Sequence, residues 1–348
     1  MCSSDLISAV RALAEIGGPA TLPAFRELLG DSDREIARAA QESFASQPGQ
    51  ETDAAVLALL AASDKNQQLA GIELVGRRRM TASLPALLKA ARQSDVSVRP
   101  AVLKQIGDLG TSETAPAVIE LLQAARETGE VEAAEQAIST LCAKAPNPEA
   151  CVEKLAGAMG QARPAQKAAL LRVLSTIGGA PALQAVRGSI RDSDASVREA
   201  AIRALGAWKT ADAGPDLLAL AKDAGDPGQK MLCLRSYLGL AVNSELPPNQ
   251  RLSMCREAAG LVQAVDEKKM LLAALGSVTA PDALEVITPY LGDAATREEA
   301  SAAAVGVADR LLKAKNAKVS PKLIEALEKV AQATTNADLA KRAQALLE

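Results

Sequence analysis

The feature that most constrains the fold of this chain is a repeat within its own sequence. Residues 9–18 read AVRALAEIGG and residues 170–179 read LLRVLSTIGG, two versions of one phrase that lie 161 positions apart. The same offset, without a gap, also pairs Leu22 with Leu183, Asp33 with Asp194 and Ala40 with Ala201. It is close to five units of about 32 residues, a length typical of helical repeats. The repeat therefore predicts a stacked array of helical units.

Each unit is predicted to contain two helices joined by a short polar loop. The first helix carries apolar residues at helical spacing, and the second starts with Val-Arg and ends with Leu-Gly, as in residues 197–206. Aspartates recur every 31 residues in the loops, where their oxygens can accept hydrogen bonds from the next helix, at Asp33, Asp64 and Asp95. Arg99 and Arg198, four residues after such aspartates, are predicted to bond a neighbouring repeat.

Glycine and proline mark the boundaries of these predicted helices. Proline costs little in the first turn of a helix, so five prolines are assigned to first helices: Pro23, Pro85, Pro116, Pro215 and Pro289. Glycine at the end of a second helix favours a left-handed cap, the role predicted for Gly17, Gly76, Gly107, Gly178, Gly206 and Gly276. The basic run from Arg77 to Arg79 is predicted to be a solvated helix end.

Composition favours the same architecture. The chain is 48% hydrophobic, yet it holds only two Phe, two Tyr and one Trp. Its apolar bulk is therefore mostly Ala, Leu, Val and Ile, and each helix buries little by itself. Many helices must then stack to offset a chain entropy of roughly 1–2 kcal/mol per residue. We predict about ten helix pairs after an orphan first helix near Leu6 to Ile16, with a less regular unit at 226–265 around Pro247 and Pro248.

A helix pair that ends in Ile-Gly or Leu-Gly, with Asp-x-x-Val-Arg before the second helix, resembles the bacterial HEAT repeat. It resembles most the subgroup named after phycobilisome lyases, and the resemblance covers nearly the whole chain. It implies an all-α fold, an α-solenoid of about ten HEAT-type helix pairs plus the N-terminal orphan helix. The predicted solenoid is a right-handed superhelix and a single domain over residues 7–348.

Two resemblances predict that the chain is a fragment of a larger protein. Residues 234–241, 267–276 and 281–285 are similar to helical segments of large exported bacterial proteins that also carry sugar-hydrolase-like or dehydrogenase-like domains. Residues 1–6, MCSSDL, resemble the translation of a sequencing adapter and are interpreted as non-native. Membership of that multidomain group predicts an exported or periplasmic protein, and otherwise the cytoplasm is expected.

No pattern in the sequence points to catalysis or to a cofactor. The chain has no histidine, the commonest general base and metal ligand. It also lacks a phosphate loop, a dinucleotide-binding fingerprint and the nucleophile elbow of hydrolases. A formal net charge of −3 gives no reason to expect nucleic acid, and no apolar run is long enough to span a bilayer. We therefore predict that this chain is not an enzyme.

Four cysteines allow two interpretations. Cys142 and Cys151 flank one predicted turn, and Cys233 and Cys255 flank another. In the plainer interpretation they are small buried apolar residues, since free cysteine is often buried. The alternative is two disulfides, Cys142–Cys151 and Cys233–Cys255, which an oxidising compartment would favour.

The predicted function is a non-catalytic scaffold that binds proteins in a groove lined by second helices. Its candidate exposed residues are Arg38, Glu42, Lys104, Glu135, Arg172, Arg203 and Arg235. Aromatic anchors are scarce, so binding is expected to use many polar contacts. One alternative is the repeat region of an exported multidomain enzyme whose catalytic domain lies outside this sequence. Another, suggested only by the subgroup's name, is a bilin lyase or isomerase.

Overall fold

The computed structural model describes residues 3–242, 245–313 and 320–348, and within these ranges the only regular secondary structure is helical. The first helices of the predicted pairs are α2 (Leu22–Leu28), α4 (Gln50–Leu59), α6 (Leu84–Gln93), α8 (Ala115–Ala124), α10 (Val152–Met159), α12 (Gly179–Arg187), α14 (Gly214–Asp223), α16 (Pro248–Ala259), α18 (Ala283–Ile287) and α20 (Pro321–Ala333). The second helices are α3 (Arg34–Ser46), α5 (Lys65–Arg77), α7 (Arg99–Leu109), α9 (Thr128–Ala143), α11 (Pro164–Ile177), α13 (Ala195–Gly206), α15 (Pro227–Val242), α17 (Val265–Gly276), α19 (Arg297–Lys313) and α21 (Ala337–Ala345). Helix α1 (Ser3–Ile16) is the orphan. The predicted all-α array of ten pairs and one orphan helix is confirmed.

Short 3-10 helices lead into several of the first helices. They lie at Pro19–Thr21, Thr81–Ser83, Ser112–Thr114, Pro148–Cys151 and Ala211–Ala213, and a sixth, Thr288–Gly292, continues α18. Among the described helices, none is both long enough and apolar enough to cross a membrane.

The chain divides into two compact units, of which the first ends at Ala182 and the second begins at Leu183. In the first unit each second helix from α3 to α11 contacts the next, and in the second unit those from α13 to α21 do so. Successive first helices contact one another more sparsely. The second helices therefore form the closely packed side of each unit. The single domain over 7–348 and the right-handed winding stay predictions.

The predicted helix starts are largely confirmed. Asp33, Asp64 and Asp194 accept hydrogen bonds from the backbone N–H groups of α3, α5 and α13, at 2.8 to 2.9 Å. Asp95 accepts instead from the N–H and hydroxyl of Ser97, in a turn before α7. All five assigned prolines lie in first helices or, for Pro289, in the 3-10 helix that continues one.

The positive φ that a left-handed cap requires is present at two of these glycines and absent at four, where the prediction is wrong. Gly17 and Gly178 have φ of 67° and 73°. The other four, Gly76, Gly107, Gly206 and Gly276, do not have positive φ. Each of these four instead faces the next second helix so closely that a Cβ would lie 2.2 to 3.1 Å from a residue there. At Gly107, Gly206 and Gly276 the close atoms are a Cα or Cβ of the next second helix, so close approach of the helices explains the glycine there. At Gly76 the close atoms belong to the end of the flexible Gln105 side chain.

The basic run Arg77 to Arg79 is only partly solvated, contrary to the prediction. The Arg78 guanidinium is mostly buried and forms an ion pair with Asp53 at 2.7 Å. It also donates to the backbone carbonyls of Ala45, at 2.8 Å, and Gln47, at 2.5 Å. Arg78 therefore joins the end of α5 to α4 and to the end of α3, while Arg77 pairs with Glu73 on the surface.

Two buried glutamates each join a second helix to the second helix before it. Glu130 joins α9 to α7, and Glu267 joins α17 to α15. Glu130, in the first turn of α9, accepts from the N–H groups of Arg126 and Glu127 at 3.1 and 3.3 Å, and from Arg99 of α7 at 2.9 Å. Glu267, in the first turn of α17, makes the same set of contacts, with Lys230 of α15 as its cation at 3.1 Å. One carboxylate thus satisfies a helix N-terminus and also pairs with a charge one repeat away.

Candidate protein-binding surface

The predicted candidate residues lie on second helices, and most fall at one recurring position. Glu42, Lys104 and Glu135 follow one another at multiples of 31 residues, and so do Arg172 and Arg203. All seven candidates are exposed except Glu135, which is half-buried. The 31-residue spacing also selects an exposed residue that the sequence analysis missed, Glu73 of α5. We call Glu42, Glu73, Lys104, Glu135 and Arg172 of the first unit the charged column.

Within the charged column, opposite charges on neighbouring second helices meet. Arg172 forms two hydrogen bonds with the Glu135 carboxylate, at 2.8 and 2.6 Å, which joins α11 to α9. Burial by itself would raise the pKa of Glu73, but hydrogen bonds with Gln41 and Arg77 and the charge of Lys104 lower it below its ordinary value. Glu42 pairs with Arg38 on its own helix at 2.9 Å. Most charges of the column therefore lie near an opposite charge within the same unit.

The second unit places two of the candidate arginines around a groove. Arg203 of α13 and Arg235 of α15 both line a cavity of about 550 Å³ between these two helices. Arg203 pairs with Glu199 on its own helix at 2.5 Å. Arg235 is exposed and forms no ion pair or hydrogen bond with any part of the chain that the structure describes. We call this cavity the α13–α15 groove.

The predicted bonds from Arg99 and Arg198 to neighbouring repeats are confirmed for one residue only. Arg99 donates to Glu130, one repeat ahead, at 2.9 Å. Arg198 instead donates to the carbonyls of Asp192 and Ser193 at 2.8 and 2.9 Å, in the loop before its own helix. Arg198 therefore helps to hold that loop.

A second cavity lies on the first-helix side of the second unit, between α14 and α16. It measures about 430 Å³, and Leu218, Tyr237 and Met254 are among its lining residues. The Tyr237 hydroxyl donates to Glu257 at 3.3 Å. Burial, with the charge of Glu257, raises the pKa of Tyr237, so the hydroxyl is a neutral donor at physiological pH.

All four predicted cysteines are buried free thiols. Burial, followed by a hydrogen bond with Cys151, raises the pKa of the Cys142 thiol. Burial also raises the pKa of Cys233 to about 11 and that of Cys255 to about 12. Thiols protonated to this degree are poor nucleophiles at neutral pH. The Cys142–Cys151 and Cys233–Cys255 disulfides stay predictions, and among the described thiols only Cys142 has its pKa raised by the neighbouring cysteine of its predicted pair.

We expect diamide, which takes up two hydrogen atoms as two thiols join, to link Cys142 to Cys151 before the other pair. The reason is that Cys151 is near enough to Cys142 to raise its pKa, whereas Cys233 and Cys255 have no such influence on each other. The measurement is maleimide labelling of the denatured, unreduced protein, followed by peptide mass spectrometry. A Cys151→Ser variant should leave Cys142 labelled, whereas Cys255→Ser should change nothing at Cys142. Protection of Cys233 and Cys255 ahead of Cys142 would contradict the expectation.

Among the described residues, no group of three or more cysteine, aspartate or glutamate side chains could hold a metal ion.

Comparison with known families identifies repeats over much of the chain. The family described as HEAT repeats matches residues 52–139 and 140–235, together more than half of the sequence. The PBS lyase HEAT-like repeat matches residues 6–31. Among curated proteins, no sequence matches this chain.

Solved structures of karyopherins share the fold. Kap121p bound to the extreme C-terminus of the protein phosphatase Cdc14p is similar with a TM-score of 0.60 and 14% identity, over 95% of this chain and 42% of that one. Kap121p bound to Pho4p gives 0.60 and 13%, over 95% and 42%. Kap95p, solved with RanGDP, gives 0.55 and 13%, over 96% and 52%. The chain thus spans roughly two-fifths to one-half of these proteins, and at such identities the similarity shows the fold alone.

Proposed function

This chain belongs to the HEAT-repeat family, and we propose on that premise that it is a non-catalytic scaffold for protein–protein interaction. The exposed side of its second helices is the surface it presents to a partner. Repeat arrays of this kind offer extended surfaces on which many weak contacts add up.

One observation carries the proposal, the recurrence of charged, exposed side chains at one position of successive second helices. A structural role accounts for the charges that pair between helices, such as Glu135 with Arg172. It does not account for Lys104 and Arg235, which are exposed and form no ion pair in the part of the chain that the structure describes. The scarcity of aromatic residues favours binding through distributed polar contacts over a few hot spots.

The chemistry available to the side chains supports a binding role over a catalytic one. The sequence holds no histidine, and burial raises the pKa of three of the thiols, Cys142, Cys233 and Cys255. The similar karyopherin Kap121p has been solved bound to protein partners such as Pho4p, and this agrees with a scaffold function by analogy.

Two further parts of the proposal concern the protein as a whole. We propose that the chain is the repeat region of a larger bacterial protein, with residues 1–6 non-native. The alternative is the exported multidomain enzyme with sugar-hydrolase-like or dehydrogenase-like domains. Sequencing the unbroken genomic locus tests both, because an upstream reading frame that encodes an export signal and a catalytic domain would favour the alternative.

The bilin lyase alternative predicts a bilin adduct, which absorbance would detect.

The scaffold function is tested by cross-linking in intact cells with matched charge reversals. One variant combines Lys104→Glu, Arg203→Glu and Arg235→Glu on second helices. Its control combines Arg26→Glu, Lys89→Glu and Lys222→Glu, three exposed residues on first helices, with the same change in net charge. We expect the first variant to lose cross-linked partners about tenfold, since several polar contacts vanish together. Equal capture by both variants, or no specific partner of the unaltered chain, would contradict the proposal.

A further inference from the structure

We propose that the α13–α15 groove binds a partner segment in which acidic side chains flank an aliphatic one. This inference rests on the proposed function and names the kind of partner that one part of the surface accepts. Three properties of the groove support it: its lining includes aliphatic residues, its charged groups are mostly positive, and one of its exposed arginines has no ion pair among the described residues.

The floor of the groove is aliphatic. Ile202 of α13 is buried, and Met231 and Leu232 of α15 are half-buried. At about 550 Å³ the cavity has the size of pockets that enclose small ligands, which leaves room for one or two aliphatic side chains. Met231 is unbranched and can adapt its shape to the side chain that enters. The floor therefore favours an aliphatic contact.

The charges around this floor are predominantly positive. The lining holds three guanidinium groups and two carboxylates, Glu199 and Asp226. Asp226 accepts a hydrogen bond from the N–H of Gln229 at 2.8 Å, at the start of α15. Arg198 donates only to neutral carbonyl groups, those of Asp192 and Ser193. An acidic segment therefore meets a net attraction here, whereas a basic one is repelled.

The two exposed arginines differ in how strongly they are engaged. Arg203 is held by Glu199 on the next turn of its own helix. Arg235 has all its donors available within the described chain, and a guanidinium binds a carboxylate through two parallel hydrogen bonds. An incoming carboxylate is expected to bind Arg235 first and to compete with Glu199 for Arg203.

The test measures binding of three fluorescein-labelled, amidated peptides of about eight residues by fluorescence anisotropy. The first alternates glutamate with leucine, the second lysine with leucine, and the third glutamate with serine. We expect only the first to bind well, and added salt to weaken it because the contacts are ionic and exposed. Tighter binding of either of the other two overturns the proposal, as does no binding of the first.

Variants of the groove separate this proposal from general attraction to a charged protein. Arg235→Glu is expected to weaken the first peptide about tenfold or more, since it replaces an attractive contact by a repulsive one. Arg191→Glu, an exposed arginine in the loop after α12, is the matched control and should have little effect. Glu199→Gln should strengthen binding, because it frees Arg203. Equal effects of Arg235→Glu and Arg191→Glu, or weaker binding by Glu199→Gln, overturn the proposal.

The two proposals fail in distinguishable ways. Capture of a cellular partner that depends on second-helix charges, combined with no peptide binding, overturns the groove and leaves the scaffold function standing. The opposite outcome is peptide binding that depends on Arg235 together with cellular capture that the charge reversals on second helices do not change. It overturns the proposed scaffold surface but not the proposal for the groove.

Discussion

Replacement of Gly206 by alanine is expected to lower the free energy of unfolding of the second unit by roughly 1–2 kcal/mol. An added Cβ would lie 2.6 Å from the Cβ of Ser236 and 3.1 Å from its Cα, so α13 and α15 would have to separate. Overpacking of this kind costs about 1–3 kcal/mol, and alanine recovers up to about 1 kcal/mol of helix propensity. Trp208 is buried two residues away, and its fluorescence during urea unfolding provides the measurement.

Gly239→Ala is the matched control for Gly206→Ala. Gly239 lies exposed in α15, where an added Cβ meets no described atom within 4 Å. There the same substitution should stabilise the unit by roughly 0.5–1 kcal/mol, as it does in an open helix position. Measured against Ser236→Gly alone, the Gly206→Ala substitution should cost much less, because the two nearest atoms, the Cβ and Oγ of Ser236, are then absent. Stabilisation by Gly206→Ala equal to that by Gly239→Ala would show that the helices do not approach as described.

Replacement of Glu130 by alanine is expected to destabilise the first unit by roughly 2–3 kcal/mol. The change removes the acceptor of the Arg126 and Glu127 N–H groups and of one Arg99 N–H, while Arg99 keeps its bond to the Ser94 carbonyl. A net loss of about 1 kcal/mol for each of these three bonds gives the expected total. Urea unfolding followed by circular dichroism measures the loss. Glu132→Ala, an exposed site on the same helix, should change stability by less than about 0.5 kcal/mol.

The pH dependence of stability tests the charge of Glu130 separately from its shape. Burial acts to raise the pKa of Glu130, but hydrogen bonds from Arg126, Glu127 and Arg99 outweigh it and lower the pKa below the ordinary 4.5. A lowered folded-state pKa means that its contribution is complete above about pH 4.5 and is lost as the pH falls through the folded value. Glu130→Gln should therefore flatten the acid limb of the stability curve. An unchanged acid limb in this variant would contradict the role of the carboxylate.

Local patterns were sufficient to predict the elements of the fold. The loop aspartates and the assigned prolines placed the helix starts because these signals act within one helix or one turn. The 161-residue offset showed that the same unit recurs along the chain. The same offset pairs Arg38 with Glu199 and Glu42 with Arg203, so the two ion pairs occupy equivalent places with their charges exchanged. An exposed recurring position was therefore detectable from sequence, although its partners were not.

The interpretation of the glycines shows where local reasoning fails. An apolar residue followed by glycine at a helix end fits a left-handed cap and also fits close approach of a second helix. Gly17 and Gly178, which have positive φ, are each followed by a second glycine, whereas Gly206 is followed by Ala207. Gly178 has the positive φ of a cap, whereas Gly206 faces Ser236. The second glycine was a sequence signal for positive φ, whereas the close contact at Gly206 follows only from the position of the neighbouring helix.

The sequence by itself determined that the chain forms stacked helix pairs, how many there are and which side chains begin each helix. These properties depend on hydrophobic period and on capping bonds that span a few residues. The tertiary structure decided which glycines are crossing points, that Glu130 joins α9 to Arg99, and that a groove opens beside Arg235. Such contacts join residues about thirty positions apart, and their register is set by how side-chain volumes pack between helices.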